Sequence, residues 1–193
     1  MLILWGIETL ATKQDQIALS INQWLDDVVI GLNLCPFAAK PKRQQQIHID
    51  VFEGTSEADL DQAFLQALDE LQSKDAQDRE TTLLVIPNLL NTFEEYMLYL
   101  QQAQWLLQRA GLEGILQIAS FHPHYQFDGT DPSDKENLTN RAPYPILHLI
   151  REDSLADVLS KYPNPESIPD NNIKTVEGLS EKEIQALFPH ISS

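Results

Sequence analysis

The spacing of apolar residues along the chain predicts alternating helices and strands. Apolar side chains recur every three or four positions in residues 13–33, 56–71 and 92–111, as they do along a helix with one buried face. Residues 47–52 alternate between apolar and polar, which indicates a strand with one buried face. The other apolar runs are short and continuous, which is typical of strands buried on both faces: residues 83–86, 115–121 and 146–150.

This order of elements predicts an α/β (α+β) fold in which helices pack on a small mixed four-stranded sheet, in the order α-βαβαββα-α. The β-α-β units require parallel, right-handed crossovers. A long loop separates the last two strands, and the sequence leaves both parallel and antiparallel pairing open for them. With 193 residues, the chain is expected to form a single domain (residues 1–193), with a core at 13–162, an irregular proline-rich connection at 163–180 and a C-terminal helix at 180–189.

Local signals indicate where the helices begin and end. The first helix is expected to end before Pro36, because proline disfavours helical geometry in the residue before it. Gly111 fits the position just after the third helix, where a left-handed residue is often needed. Capping residues are expected at the start of the later helices: Thr55 or Ser56, Thr92 with Glu95, Ser154, and Ser180 with Glu183.

The charge and the cysteine content narrow the choice of partners and compartment. The formal net charge is −16, and a field of that sign repels nucleic-acid backbones and anionic lipid surfaces. Cys35 is the single cysteine, so no intramolecular disulfide can form, and a reducing compartment is expected. The first apolar residues are too few for a signal peptide, and no stretch reaches the ~20 apolar residues of a membrane helix. These features predict a cytoplasmic protein that binds neither nucleic acid nor membranes.

Polar and titratable residues concentrate between the last two predicted strands, in residues 121–151. Three of the five histidines lie here, together with several carboxylates, amides and two arginines. Connections of this length are uncommon and are usually either functional or disordered. This one contains aromatic residues and few glycines, and apolar strands hold both of its ends. We therefore expect an ordered loop that carries the functional site.

One candidate chemistry for this loop is a metal site. His122 and His124 are two positions apart, so both imidazoles leave the same face of an extended chain. With His148, or with carboxylates such as Asp131, they would bind a divalent ion such as zinc or manganese. The structural alternative is that Pro123 ends the strand and the histidines bond to the loop backbone.

A second candidate is metal-free acid–base chemistry on an anionic small molecule. His122, His124 or His148 would carry the proton, oriented by Asp128 or Asp131. Arg141 and Arg151 would bind a carboxylate or phosphate group through their guanidinium groups. Further substrate contacts are expected from three other side chains of the loop: Tyr125, Asn137 and Asn140.

Several of these residues also have a purely structural interpretation. His148 lies in an apolar strand, where a histidine is typically a hydrogen-bonded core residue. Arg141 beside Asn140 is typical of a donor that orders a loop. Cys35 follows the predicted end of the first helix, where the helix dipole opposes a nucleophilic thiolate, so a small buried apolar residue is the simpler interpretation.

Four motifs of the sequence are similar to those of a known family. They lie at residues 29–38, 121–127, 136–141 and 143–152. Over residues 13–173 or so, the chain resembles the uncharacterised bacterial family numbered 1415 among domains of unknown function. The resemblance implies a bacterial or plastid-type cytosolic setting, but it implies no activity and no residue roles.

Two functions fit these residues. The first is a small-molecule enzyme, a hydrolase or group-transfer enzyme, with a His/Asp/Arg site in the loop and a metal as an optional cofactor. The second is a non-catalytic ligand-binding or partner-binding domain. Because functional groups rarely stabilise a fold, the enzyme hypothesis predicts that His122→Ala and Arg141→Ala leave thermal stability nearly unchanged.

Overall fold

A four-stranded mixed sheet forms the centre of the computed structural model, which describes residues 12–191. Its strands are β1 (Ile47–Val51), β2 (Thr81–Val85), β3 (Leu116–Phe121) and β4 (Ile146–Arg151). The strand order is β1-β2-β4-β3; β1 and β2 are parallel, and β4 runs antiparallel to both of its neighbours. The predicted α+β class with a mixed four-stranded sheet is therefore confirmed. Residues 1–11 and 192–193 of the predicted domain lie outside the described residues.

Helices precede, connect and follow the strands. The α-helices are α1 (Lys13–Trp24), α2 (Ala39–Arg43), α3 (Glu57–Ser73), α4 (Phe93–Arg109), α5 (Glu152–Lys161), α6 (Ile168–Glu177) and α7 (Glu181–Leu187). A π-helical segment, Leu25–Ile30, continues α1. Short 3₁₀ helices are formed by Lys135–Asn140, Pro165–Ser167 and Pro189–Ile191. No helix in the described part of the chain is long and apolar enough to cross a membrane.

The position of β4 determines where the long polar loop lies. Phe121 at the end of β3 pairs with Ile146 at the start of β4, and the two strands are antiparallel. Residues 122–145 therefore form the loop of one wide hairpin at a single end of the sheet. The antiparallel pairing answers the question that the sequence left open.

Two apolar layers cover the sheet. The helices α3 and α4 pack on one face against Leu84, Leu147 and other residues. The helices α1, α6 and α7 pack on the opposite face, which includes Leu83 and Ile146. Successive side chains of a strand point to opposite faces. Both layers therefore contact β2, whose five residues are all buried, as predicted.

The prediction of full burial is wrong for β3 and holds only in part for β4. Within β3 only Leu116 is buried, and the other five residues are partly exposed. The reason is the strand order, which places β3 at the edge of the sheet. In β4, His148, Ile150 and Arg151 are partly exposed.

Two predicted helix boundaries are also wrong. The first helix was expected to reach residue 33, but it is α-helical only to Trp24 and becomes π-helical to Ile30. The amide of Gly31 donates to the carbonyl of Asp26, five residues earlier (2.9 Å), which is the π-helical pattern. Ser154 is not a cap, because α5 begins at Glu152 directly after β4 and has no side-chain cap.

The prediction of an irregular connection at residues 163–180 is also wrong, because most of this segment is helical. The 3₁₀ helix Pro165–Ser167 leads into α6, and Pro169 lies in the first turn of α6. Proline is tolerated there because the first amides of a helix have no intrahelical acceptor. The prolines of this segment therefore mark the start of a helix. The helix α6 packs against the 3₁₀ helix Lys135–Asn140 of the polar loop.

The other predicted helix signals are confirmed. Ser56 caps α3, and the Thr92–Glu95 and Ser180–Glu183 pairs form capping boxes at α4 and α7. Gly111 has a left-handed backbone (φ 73°) just after α4.

Candidate functional site

His122 anchors the polar loop to the sheet. Its side chain is fully buried, Nε2 donates to the carbonyl of Leu90 (3.0 Å), and Nδ1 accepts from the amide of His124 (3.0 Å). These two bonds are compatible only with a neutral imidazole protonated at Nε2. Burial lowers the pKa of His122 to about 4, which keeps the ring neutral. Since both nitrogens are engaged, His122 is a loop anchor in this structure.

A tyrosine hydroxyl is inserted between the two strands where the loop begins. Tyr96 of α4 accepts from the amide of Phe121 (3.2 Å) and donates to the carbonyl of Ile146 (2.7 Å). The Tyr96 ring also contacts the ring of His122, with centroids 5.2 Å apart. Sequence reasoning missed this residue, although a tyrosine on the buried face of a helix needs a hydrogen-bond partner for its hydroxyl.

The two predicted amide ligands order the loop itself. The Asn137 side chain is fully buried; its oxygen accepts from the Phe127 amide and the Thr130 hydroxyl (2.9 Å each). Its nitrogen donates to the carbonyl of Asp131 (2.9 Å). Asn140 donates to the carbonyl of Ser120 (3.1 Å). These contacts connect distant parts of the loop and use the polar atoms that a substrate would need.

The loop carboxylates do not form a pair with a histidine. Asp131 accepts from the amide and hydroxyl of Ser133, which lowers the pKa of its carboxyl group. Asp134 accepts from the amide of Asp131 (2.7 Å). Asp128 is exposed, and neither His122 nor His124 is hydrogen-bonded to it. The expected His–Asp proton relay is therefore not assembled here.

The four candidate metal ligands are not gathered into one site. Within residues 12–191, no group of three or more His, Cys, Asp or Glu side chains is arranged to hold a metal ion. His148 lies on the sheet, and its Nε2 is hydrogen-bonded to the hydroxyl of Thr81 (2.7 Å). Burial lowers the pKa of His148 to about 4. The geometry agrees with the structural interpretation of His148 and offers no support for a zinc or manganese site.

Arg151 lies away from the loop and has a structural role. It ends β4, a six-residue strand, so it lies roughly 17 Å along the strand from the loop end. Its guanidinium group donates to three backbone carbonyls that surround the C-terminus of α3: those of Leu71, Lys74 and Arg79. The predicted anion contact at this residue is not supported.

We expect Arg151→Met to lower the free energy of unfolding by about 2 kcal/mol, because several carbonyls lose a charged donor. Urea denaturation measures this change. Arg43→Met is the matched control, because Arg43 is exposed on α2 and should change stability by less than about 0.5 kcal/mol. Equal midpoints for the two variants would contradict the structural role of Arg151.

Arg141 lies inside the loop and has no carboxylate partner among residues 12–191. Its Nε and Nη2 donate to the carbonyls of Tyr125 (3.2 Å) and Pro132 (2.7 Å). Its own carbonyl accepts from the indole of Trp24 (3.0 Å), which ties the loop to α1. Burial lowers the pKa of the guanidinium group. The third nitrogen, Nη1, has no hydrogen bond within the described residues.

The C-terminal 3₁₀ helix places a second polar group near Arg141. Both ring nitrogens of His190 are buried and have no hydrogen-bond partner among residues 12–191. Burial, together with repulsion from Arg141 and His124, lowers the pKa of His190 to about 4. The exposed His124 ring lies 5.8 Å from that of His122. We call Arg141, His124 and His190 the Arg141 cluster.

Sequence reasoning missed His190 because it lies outside the loop and no local motif marks it. The structure brings it to the loop through tertiary packing. The apolar layer on this face contains Leu138 and Ala142 of the loop and Phe188 beside His190. Tyr125, predicted as a substrate contact, is held between Phe93 and Phe127, with each pair of ring centroids 5.0 Å apart.

The Arg141 cluster is an unusual electrostatic arrangement. It combines a guanidinium group with two imidazoles and has no carboxylate partner in the described range 12–191, although the chain has 29 acidic and 13 basic residues. A buried polar group without a hydrogen bond costs about 1–3 kcal/mol. Such uncompensated groups are rare in native proteins and call for an explanation. A bound anion would compensate the charge of Arg141 and would accept a hydrogen bond from His190.

Comparison with known proteins gives one match. A family model described as a protein of unknown function, DUF1415, matches residues 16–186 and confirms the resemblance inferred from the motifs. Neither a curated protein nor a solved structure matches the chain.

Proposed function

Starting from the membership of this chain in the DUF1415 family, a family of unknown function, we propose that the protein binds a small anionic molecule at the Arg141 cluster. The ligand's carboxylate or phosphate group would accept from Nη1 of Arg141 and from the imidazoles of His124 and His190. Arginine and protonated histidine are the usual donors to such groups.

The observation that carries this proposal is that Arg141 has no counterion among residues 12–191. Arg79, which is buried, pairs with Asp50 (3.3 Å) and Glu70 (3.1 Å). Within the described part of the chain, Arg141 donates to neutral carbonyls alone and lies beside two imidazoles. A small anion entering this cluster would supply the negative charge that Arg79 obtains from the protein.

The same site accommodates the enzyme hypothesis with one change of residue. His122 cannot carry a proton while both of its nitrogens are bonded to the backbone. His124 has an exposed ring, so in a hydrolase or group-transfer enzyme it would replace His122 as the proton carrier. A non-catalytic binding domain would use His124 only as a donor. Turnover that is lost in His124→Gln, with ligand affinity retained, distinguishes the enzyme from the binding domain.

The variant His190→Leu tests the proposal, with inorganic phosphate as the probe. We expect its phosphate affinity at pH 6.0 to be at least tenfold weaker than that of the parent. Its free energy of unfolding should stay equal or rise by about 1–2 kcal/mol, since two unbonded buried nitrogens are removed. Titration calorimetry and urea denaturation measure the two quantities.

His48→Leu is the matched control, because His48 lies on β1 and bonds to the carbonyl of Asp78 (3.2 Å). Its phosphate affinity should equal that of the parent. The proposal is wrong if the parent binds neither phosphate nor acetate, or if His190→Leu binds phosphate as tightly as the parent does.

A further inference from the structure

A groove of about 470 Å³ runs between α4 and the edge strand β3. Its floor is apolar and is formed by Leu107, Leu116 and Ile118. Trp105 forms one wall, and 56% of its surface is exposed. The groove lies on the sheet face that α3 and α4 cover, so it is separate from the Arg141 cluster at the end of the sheet.

Along this groove, the edge of β3 has backbone groups that pair with none of the described residues. The amide of Glu152 donates to the carbonyl of Ile115 (3.0 Å), so the odd-numbered residues of this strand direct their backbone groups toward β4. The groups of Leu116, Ile118 and Ser120 therefore point away from the sheet. Asn140 accepts from the amide of His122 and donates to the carbonyl of Ser120, which closes one end of the edge.

The middle of this edge is open with respect to residues 12–191. The amide of Leu116 donates to the carbonyl of Leu112 (3.0 Å), and the remaining outward groups have no hydrogen bond within that range: the carbonyl of Leu116, both groups of Ile118 and the amide of Ser120. Natural edge strands are usually protected by proline, by charged side chains or by bulges. Residues 116–121 contain neither proline nor charge, and their pairing with β4 has an uninterrupted register.

From these features we propose that the groove binds an extended, basic segment of a partner protein, which adds a fifth strand beside β3. Backbone pairing would supply the affinity, and an apolar side chain of the segment would lie against Trp105. Charge selects the partner. Glu113 and Glu152 line the groove in a chain of net charge −16, which favours lysine or arginine in the segment.

A second copy of this chain is a poorer occupant. Pairing two β3 edges would bring two sets of Glu113 and Glu152 together, and like charges at an interface are unfavourable. Arg109 does not reverse this balance: it lies over the Trp105 ring, 5.6 Å from the centroid, and its single positive charge is outnumbered by the two glutamates that line the groove.

The test uses a set of seven-residue peptides, capped at both ends, with lysine at both ends and alternating threonine and apolar residues between them. Two control sets carry glutamate in place of lysine, or N-methylated residues that cannot donate backbone hydrogen bonds. Binding to the full-length protein is measured by titration calorimetry. We expect the lysine peptides to bind at least tenfold more tightly than either control set.

Variants of the protein then locate the site. Ile118→Pro, which removes an outward amide at an edge where proline is tolerated, should weaken binding at least tenfold. Trp105→Ser should weaken binding about fivefold. Because Trp105 lies on α4, this variant tests the groove without changing the β3 strand. Leu98→Ser is the matched control, because Leu98 is also exposed on α4 (68%) but does not line the groove, and its affinity should be unchanged.

Three results would overturn this proposal: no binding by any lysine peptide, equal binding by the control peptides, or unchanged affinity in both Ile118→Pro and Trp105→Ser. A concentration-dependent dimer of the parent in sedimentation experiments that is lost in Ile118→Pro would also overturn it, by assigning the edge to a second copy.

Discussion

Replacing His122 with alanine is expected to lower the free energy of unfolding by about 4 kcal/mol. The substitution removes a fully buried aromatic ring that packs against Phe93 and Tyr96, with centroids 5.6 and 5.2 Å away. It also leaves the carbonyl of Leu90 and the amide of His124 without their partners. Large-to-small changes of buried rings cost about 3–5 kcal/mol, and each unsatisfied buried group adds to that.

This expectation reverses the one drawn from the sequence, in which His122→Ala was neutral because His122 was assigned to catalysis. His124→Ala is the matched control, since the exposed His124 side chain should contribute less than about 0.5 kcal/mol. Urea denaturation at pH 7.5 measures both variants. If the two variants unfold at the same urea concentration as the parent, His122 does not anchor the loop.

Acidification from pH 7.5 to pH 5.0 is expected to destabilise the protein, because burial keeps three of its histidines neutral. Burial lowers the pKa values of His122, His148 and His190 to about 4 in the folded protein, while an unfolded chain has histidine pKa values near 6.5. Below pH 6.5 the unfolded state therefore binds protons that the folded state excludes. The free energy of unfolding falls from pH 6.5 down to about pH 4.

For the fully buried His122 alone, the loss at pH 5.0 is roughly 2 kcal/mol. Three carboxylates contribute in a lower range. Hydrogen bonds lower the pKa values of Asp15, Asp131 and Glu183 from 3.8 or 4.5, so their contribution is present above that range and is lost only below it. The decrease between pH 6.5 and pH 5.0 is thus assigned to the histidines.

Urea denaturation at pH 7.5, 6.0 and 5.0 measures this decrease, and His148→Gln should make it shallower by removing one of the three groups. A free energy of unfolding that stays constant down to pH 5.0 would show that the three histidines are not held neutral by the fold.

The helix caps and strands were predictable because their signals are local. The Ser180–Glu183 capping box and the buried run of β2 depend on residues a few positions apart. The strand order was not predictable from the sequence. The apolar run of β4 fits a position at the edge of the sheet as well as its actual position between β2 and β3. This placement leaves β3 at the edge and creates the open groove beside Trp105.

The location of the polar loop was predictable, but the roles of its residues were not. The spacing of His122 and His124 favoured a pair of metal ligands. In the structure the chain turns at Pro123, and the amide of His124 bonds back to the ring of His122. The acceptor for Nε2 of His122 is the carbonyl of Leu90, and the imidazole that approaches Arg141 from outside the loop is that of His190. Both partners are far away in sequence, so only the tertiary fold reveals them.

The most direct test of the proposed anion site is an NMR titration of the His190 imidazole with and without inorganic phosphate, assigned by comparison with His190→Leu. Without phosphate, burial together with Arg141 and His124 should hold the pKa of His190 at about 4. Saturating phosphate should raise this pKa by at least about one unit, because a bound anion stabilises the imidazolium form. Superimposable titration curves with and without phosphate would contradict the proposal that the Arg141 cluster binds an anion.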